Sequence, residues 1–234
     1  MKRIGIIGGL SPESTISYYQ YLNQLTKEHF GGLAAPEICI RSVNQQVYFD
    51  LKAKDDWASC GTLLGDAARD LEQAGSEIII LATNTMHHVA HDIENAISIP
   101  FIHIADAAAQ EIKQQNIHKI GLLGTKYTMD MPFYKGRLKD KHQIDTIVPN
   151  EASAKIINDI IFDELCFGKI TEESRQKYIA ICQELVADGA QAILLGCTEI
   201  GLLIKSDDLS CPVLDTAEIH AKIAFETAIS NDIS

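Results

Sequence analysis

No stretch of this chain approaches the roughly 20 consecutive apolar residues of a membrane span, and no cluster of Lys and Arg interrupts a net charge of -12. The first absence predicts that the protein crosses no membrane. The second argues against a nucleic-acid surface, which needs a basic patch. The six cysteines (Cys39, Cys60, Cys166, Cys182, Cys197 and Cys211) contain no C-x-x-C pair and are widely spread. That pattern fits neither a zinc finger nor a disulfide framework, so they read as reduced thiols, most of them buried as small apolar side chains. Several cofactor motifs are missing as well. "GIIGGLSPES" does not fit G-x-G-x-x-G, and no Gly-Lys-Ser/Thr follows it, so a dinucleotide fingerprint and a phosphate loop are both set aside. His87 and His91 lie four apart, as two ligands on one helix face would. H-E-x-x-H is absent, however, and no third ligand is placed nearby, so no metal is expected. His88 reads as a solvated surface residue. Met1 to Gly9 lacks the long apolar stretch and cleavage site of a secretory signal, and a soluble, cytoplasmic protein is expected.

What is present is ordinary globular composition: 234 residues, 46% hydrophobic and 22% charged, enough to bury a sizeable core. Short apolar runs alternate with helix-length amphipathic segments. The strand candidates are Arg3–Ile7, Glu37–Ser42, Glu77–Leu81, Phe101–His103, Lys119–Leu123, Asp145–Val148, Ala192–Leu195 and Val213–Leu214. Helical periodicity marks Trp57–Ala74, Ile104–Gln115, Glu172–Asp188 and Ala217–Ser230, and glycine follows two of these at Gly75 and Gly189, where a helix should stop. Continuous apolar strands separated by helices predict an α/β fold with mostly parallel sheet covered on both faces.

The chain also repeats itself. "GIIGGLSPEST" at Gly5 matches "GLLGTKYTM" at Gly121, "IIILATNT" matches "AILLGCTE" with Thr83 against Cys197, and "IPFIHIADA" at Pro100 matches "CPVLDTAEI" at Pro212. The offsets, about 116, 114 and 112, are nearly constant. Two similar pseudo-symmetric α/β halves are therefore expected, one of residues 1–98 plus 210–234 and one of residues 99–209. Ligands of such sheets sit at the carboxyl ends of strands, so Thr83 and Cys197 would face one cleft between the halves from opposite sides.

Cys197 stands at a strand end just before a helix start, where backbone N–H groups and the helix dipole favour a thiolate; Gly196 would let the backbone approach a ligand closely. Thr83 is open to two readings, proton donor or helix cap. Asn84, Thr85 and Thr198 are small side chains beside helix-start N–H groups, which hold carboxylates well. Glu199 and Asp215 either tune Cys197 or cap helices. The Gly5–Gly9 turn, with Ser11 nearby, is expected to line a small-ligand cleft.

"TNTMH" and "GCTEI", together with "GIIGGLSPEST" and "GTKYTM", resemble the cofactor-independent aspartate/glutamate racemase family over nearly the whole chain. The resemblance implies two similar α/β domains, an amino-acid substrate, a homodimer, and neither metal nor pyridoxal phosphate. It also implies two groups flanking Cα, one removing the proton and the other protonating the opposite face. Asn84, Thr85 and Thr198 match the family's carboxylate-binding positions, and Ser11, Thr125, Glu199 and Gln46 are further expected substrate contacts. Two departures stand out. Thr83 takes the place of the family's first cysteine, which makes the two directions unequal, with L to D favoured kinetically. Cys166, in "IFDELCFGK", takes the place of a lysine that holds the side-chain carboxylate, leaving Lys126, Lys169, Gln46 or Arg41 to compensate. A one-cysteine decarboxylase or cis-trans isomerase is the alternative enzyme, and an amino-acid-binding protein the alternative without catalysis.

Overall fold

The computed structural model describes residues 1–230. It divides into two compact units, one formed by Met1–Ile104 with the segment from Ala217, the other by Ala105–Thr216. Each is an α/β layer structure in its own right.

Unit 1 runs β1 (Ile4–Gly8), α1 (Pro12–Phe30), β2 (Ile38–Ser42), α2 (Gln45–Ala53), α3 (Trp57–Gln73), β3 (Ile78–Leu81), a 3-10 turn (Thr85–Val89), α4 (Ala90–Ala96) and β4 (Phe101–Ile102). Its sheet has the order β2-β1-β3-β4, and every pair is parallel. The strands read as unbroken apolar runs because both faces are covered, and the pleat sorts their side chains with a period of two. Ile7, Ile79 and Leu81 pack with Leu64, Ala68 and Leu71 of α3. Ile4, Ile6, Ile78 and Ile80 point the other way, onto Tyr18 and Leu22 of α1 and onto a row of alanines (Ala217, Ala221, Ala224) that belongs to the last helix of the chain. Burying each such Ile or Leu contributes about 1.5–3 kcal/mol.

Unit 2 contains α5 (Ile104–Gln114), β5 (Lys119–Gly124), α6 (Lys126–Asp130), α7 (Pro132–His142), β6 (Asp145–Ile147), α8 (Glu151–Asp163), a 3-10 turn (Leu165–Phe167), α9 (Glu172–Ala187), β7 (Ala192–Gly196), α10 (Ile200–Leu203) and β8 (Val213–Asp215); α11 (Thr216–Ile229) follows and returns to unit 1. The sheet order is β6-β5-β7-β8, again all parallel. The two sheets thus share one topology, as the repeated landmarks predict. α3 and α9 end at the expected glycines, where Gly75 and Gly189 take φ of 86° and 93°.

The expected boundaries fall one strand early. β4 pairs with β3 and β8 with β7, so Phe101–Ile102 stay in unit 1 and Val213–Asp215 in unit 2. The chain crosses over in the helix after each last strand: α5 belongs to unit 2 and α11 to unit 1. Hydrogen bonding within a sheet holds a strand with its neighbours, whereas a helix can be handed on. Among the described residues no helix is long and apolar enough to cross a membrane.

Candidate active site

In an all-parallel sheet every carboxyl end lies along the same edge, and that edge is where each unit gathers its polar residues. In unit 1, Ser11 follows β1 and caps α1, its side chain accepting the Ser14 N–H at 3.2 Å. Thr83, Asn84 and Thr85 follow β3; Asn84 and Thr85 are buried and Thr83 is half-buried. Thr83 is not a cap. Asn84 holds the N-cap position of the 3-10 turn, and no side-chain cap bond is made there. The backbone around Thr83 is pinned: its N–H reaches the Leu81 carbonyl at 2.9 Å, the Ala82 carbonyl accepts Ser14 Oγ at 2.9 Å, and the Thr83 carbonyl accepts His87 Nδ1 at 2.7 Å. Gln46, in the first turn of α2 after β2, is exposed and its amide donates to Asp50 at 2.7 Å.

Two sequence expectations change in this unit. His87 lies in the 3-10 turn and His91 in α4, so a break in the helix separates them and they do not share a face. His87 is buried while His91 is exposed. His88 is half-buried rather than fully solvated: its ring packs edge-on to Trp57, the centroids 4.5 Å apart, and burial pulls its pKa down.

In unit 2, Thr125 follows β5 and caps α6, accepting the Thr128 N–H. Cys197, Thr198 and Glu199 follow β7. Cys197 is 8% exposed; its Sγ donates to Glu199 Oε2 at 3.1 Å, and Thr198 Oγ1 donates to the same oxygen at 2.7 Å. The expectation of a depressed thiol pKa is overturned. Burial, then the Glu199 charge and its hydrogen bond, push Cys197 well above the ordinary thiol range. The helix that should have lowered it, α10, is only 4 residues long, too short to build a macrodipole that offsets a carboxylate in contact. Glu199 occupies the N-cap position of α10 but makes no side-chain cap bond there. Gly196 serves the sheet: a Cβ there would come within 2.9 Å of the Leu123 carbonyl oxygen of β5.

Cys166 sits in the 3-10 turn Leu165–Phe167 and packs against the core cluster that contains Cys197. Its nearness adds to the upward shift of Cys197. Lys169 lies three residues on, exposed. Among the described residues no group of three or more His, Cys, Asp or Glu is placed to hold a metal ion.

The two sheets thus end in unlike groups, a hydroxyl after β3 and a carboxylate-paired thiol after β7. The profile of the Asp/Glu/hydantoin racemase family matches residues 7–224. The chain belongs to that family. Among members of the Asp/Glu/hydantoin racemase family and its structural neighbours, the chain is 24% identical to the broad specificity amino-acid racemase RacX of Bacillus subtilis, over 97% of this chain and 98% of that one. An Asp/Glu racemase candidate from Yersinia pestis shares 50% identity with a TM-score of 0.94, covering 98% of this chain and 100% of that one. PH1733 of Pyrococcus horikoshii, an aspartate racemase homologue, shares 38% identity with a TM-score of 0.88 over 98% and 100%.

Sequence reasoning weighed His87 only as a metal ligand and missed its bond to Thr83, although the spacing of four was the available signal. It missed His103 and His220, whose rings pack against His87, and Tyr18, which holds His220. Tyr18 and His220 stand 202 residues apart, and no linear pattern joins them.

Proposed function

We propose that the protein is an amino-acid racemase of the Asp/Glu type, working without pyridoxal phosphate or metal on aspartate or glutamate. The observation that supports it most directly is the Cys197–Glu199 contact at 3.1 Å. A buried thiol held un-ionised by a neighbouring carboxylate is an acid-base pair waiting for a proton acceptor role. Glu199 takes the thiol proton, and the thiolate removes the α-proton of the L-enantiomer. The electron pair left on Cα delocalises into the α-carboxylate. Asn84, Thr85 and Thr198, with Ser11 and Thr125, supply the small polar groups suited to stabilising that charge.

Thr83 serves the opposite face of Cα. Its hydroxyl gives a proton to the carbanion and is restored by solvent. Because a hydroxyl is a far weaker acid than a thiol, this half of the reaction is the slower one. The intermediate therefore returns to the L-form more often than it inverts. Enantiomers have equal free energy in water, so kcat/KM is the same in both directions. The asymmetry shows instead in exchange that outruns inversion for the L-substrate. The protein is taken to work as a cytoplasmic homodimer.

Incubating the protein in D₂O with L- and D-forms of aspartate, glutamate and neutral polar amino acids tests this. NMR reads loss of the Cα proton, and circular dichroism reads inversion. Deuterium at Cα of aspartate or glutamate, abolished in Cys197→Ala, is the expected result. No label on any amino acid would instead identify a binding protein, and label accompanied by loss of carboxylate a decarboxylase.

A further inference from the structure

We propose that His87 is a positioning residue for the Thr83 side of the reaction: its buried ring ties the Thr83 carbonyl to the backbone at Ile104 and so fixes where the Thr83 hydroxyl stands. The inference rests on the racemase reading above and goes beyond it, because His87 itself touches no reacting atom.

The hydrogen bonds decide the state of the ring. The Ile104 N–H points at His87 Nε2 at 3.2 Å. An amide N–H only donates, so Nε2 carries a lone pair and the proton is on Nδ1, which donates to the Thr83 carbonyl at 2.7 Å. Turning the ring over would lose both bonds at once. Packing holds it as well: His87 is buried, with the His103 ring at 4.6 Å, Phe101 at 5.6 Å and His220 at 5.8 Å. His220 is itself fixed, with Nε2 donating to the Ile102 carbonyl and Nδ1 accepting from Tyr18 Oη, each at 2.8 Å.

The need for a side chain here follows from the local backbone. The 3-10 turn sends the His87 N–H to the Asn84 carbonyl at 3.0 Å, one residue past Thr83. An α-turn would have sent it to Thr83. The His87 ring supplies what the backbone no longer does. At the matching strand end of unit 2 no such device is present, since the Cys197 carbonyl takes the backbone N–H of Ile200 at 3.1 Å. The hydroxyl, being the weaker acid, is the partner that tolerates misplacement least, and an error of about 1 Å in a reacting group can cost on the order of 100-fold in rate.

The test compares two amides. In H87N the side-chain N–H falls near the Nδ1 position and can still reach the Thr83 carbonyl; in H87Q it falls near Nε2 and cannot. With L-aspartate and L-glutamate in D₂O, the ratio of inversion to α-deuterium exchange isolates the Thr83 face. H87Q is expected to lower that ratio at least about tenfold, with exchange itself little changed, while H87N stays within about threefold of wild type. Equal ratios in all three proteins, or exchange and inversion falling in proportion, would overturn the inference and leave the racemase reading standing. A wild type that neither exchanges nor inverts would overturn both. Should either variant fail to fold, ¹⁵N-histidine NMR of the wild type still decides: His87 is expected to show its proton on Nδ1, and a proton on Nε2 instead would refute the proposal.

Discussion

Cys197 Sγ donates to Glu199 Oε2 at 3.1 Å, two residues further along the same strand-end turn. Thr198 donates to that oxygen too, at 2.7 Å, so one carboxylate oxygen gathers both side chains between which it lies in sequence. The thiol is un-ionised at rest and hydrogen-bonded to that carboxylate. At the corresponding position of unit 1 stands Thr83, which has no carboxylate in its turn; the residue aligned with Glu199 is Thr85. The duplicated fold therefore carries two chemically unequal ends, and the inequality makes each end separately testable.

Glu199→Gln removes the charge while keeping the shape. Burial, the larger cause of the Cys197 shift, remains, and the carboxylate's contribution is lost. The thiol titration, read at 240 nm as the difference from Cys197→Ser, is expected to move to lower pH yet stay above the ordinary thiol range. If the carboxylate only suppressed ionisation, α-proton exchange would quicken. As the base that receives the thiol proton, its loss should instead slow exchange by about 100-fold or more.

His220 predicts a pH dependence of stability. Burial lowers its pKa from 6.5 to about 4, so the folded protein resists a proton that the unfolded chain accepts. Its contribution is complete above the unfolded pKa and is lost as pH falls from about 6.5 towards 4, at up to about 1.4 kcal/mol per pH unit. Urea denaturation at pH 7 and pH 5 should show the loss, and His220→Gln should flatten it. The Asp106 carboxylate, held low against the opposing effect of burial by Arg137, Lys141 and His142, weakens the fold only below the ordinary carboxylate range, outside this window.

Gly9→Ala tests the turn between β1 and Ser11. Gly9 has φ of 84°, and a Cβ there would overlap the Val43 carbonyl oxygen, which is backbone and cannot swing away. The left-handed conformation and the overlap together should cost about 2–4 kcal/mol. Thermal unfolding would show it, and an unchanged midpoint would mean that the turn rearranges freely.

How far this fold could be read in advance follows from where each signal lies. All eight strand candidates appear as strands, and α3, α5, α9 and α11 match their periodic segments to within about a residue, because buried parallel strands and amphipathic helices write their burial into adjacent residues. The shared sheet order was legible from three landmarks at nearly constant offset. The handing-over of α5 and α11 was not, since periodicity says that a helix has an apolar face and not which sheet it covers. The upward shift of Cys197 escaped notice for a similar reason. Strand-end position suggested a thiolate, but burial and the rotamers of Cys197 and Glu199, which set the sign, have no sequence signature. The half-burial of His88 depends on Trp57, 31 positions earlier, a contact with no local pattern.

Thr83 offers the most direct trial of the unequal pair. Thr83→Ala leaves the β3 turn intact, because the His87 bond is to the backbone carbonyl and no cap bond depends on the hydroxyl. L-substrate should then still exchange its α-proton at Cys197 while inversion falls to background. Thr83→Cys places a thiol, with a pKa of about 8.5 in water, where a much weaker acid stood, and its size is close enough to keep the packing. The inversion-to-exchange ratio should rise at least about tenfold. If Thr83→Ala inverts as fast as the wild type, the proton on that face comes from elsewhere, and Asn84 or Thr85, the next side chains in the turn, become the groups to change.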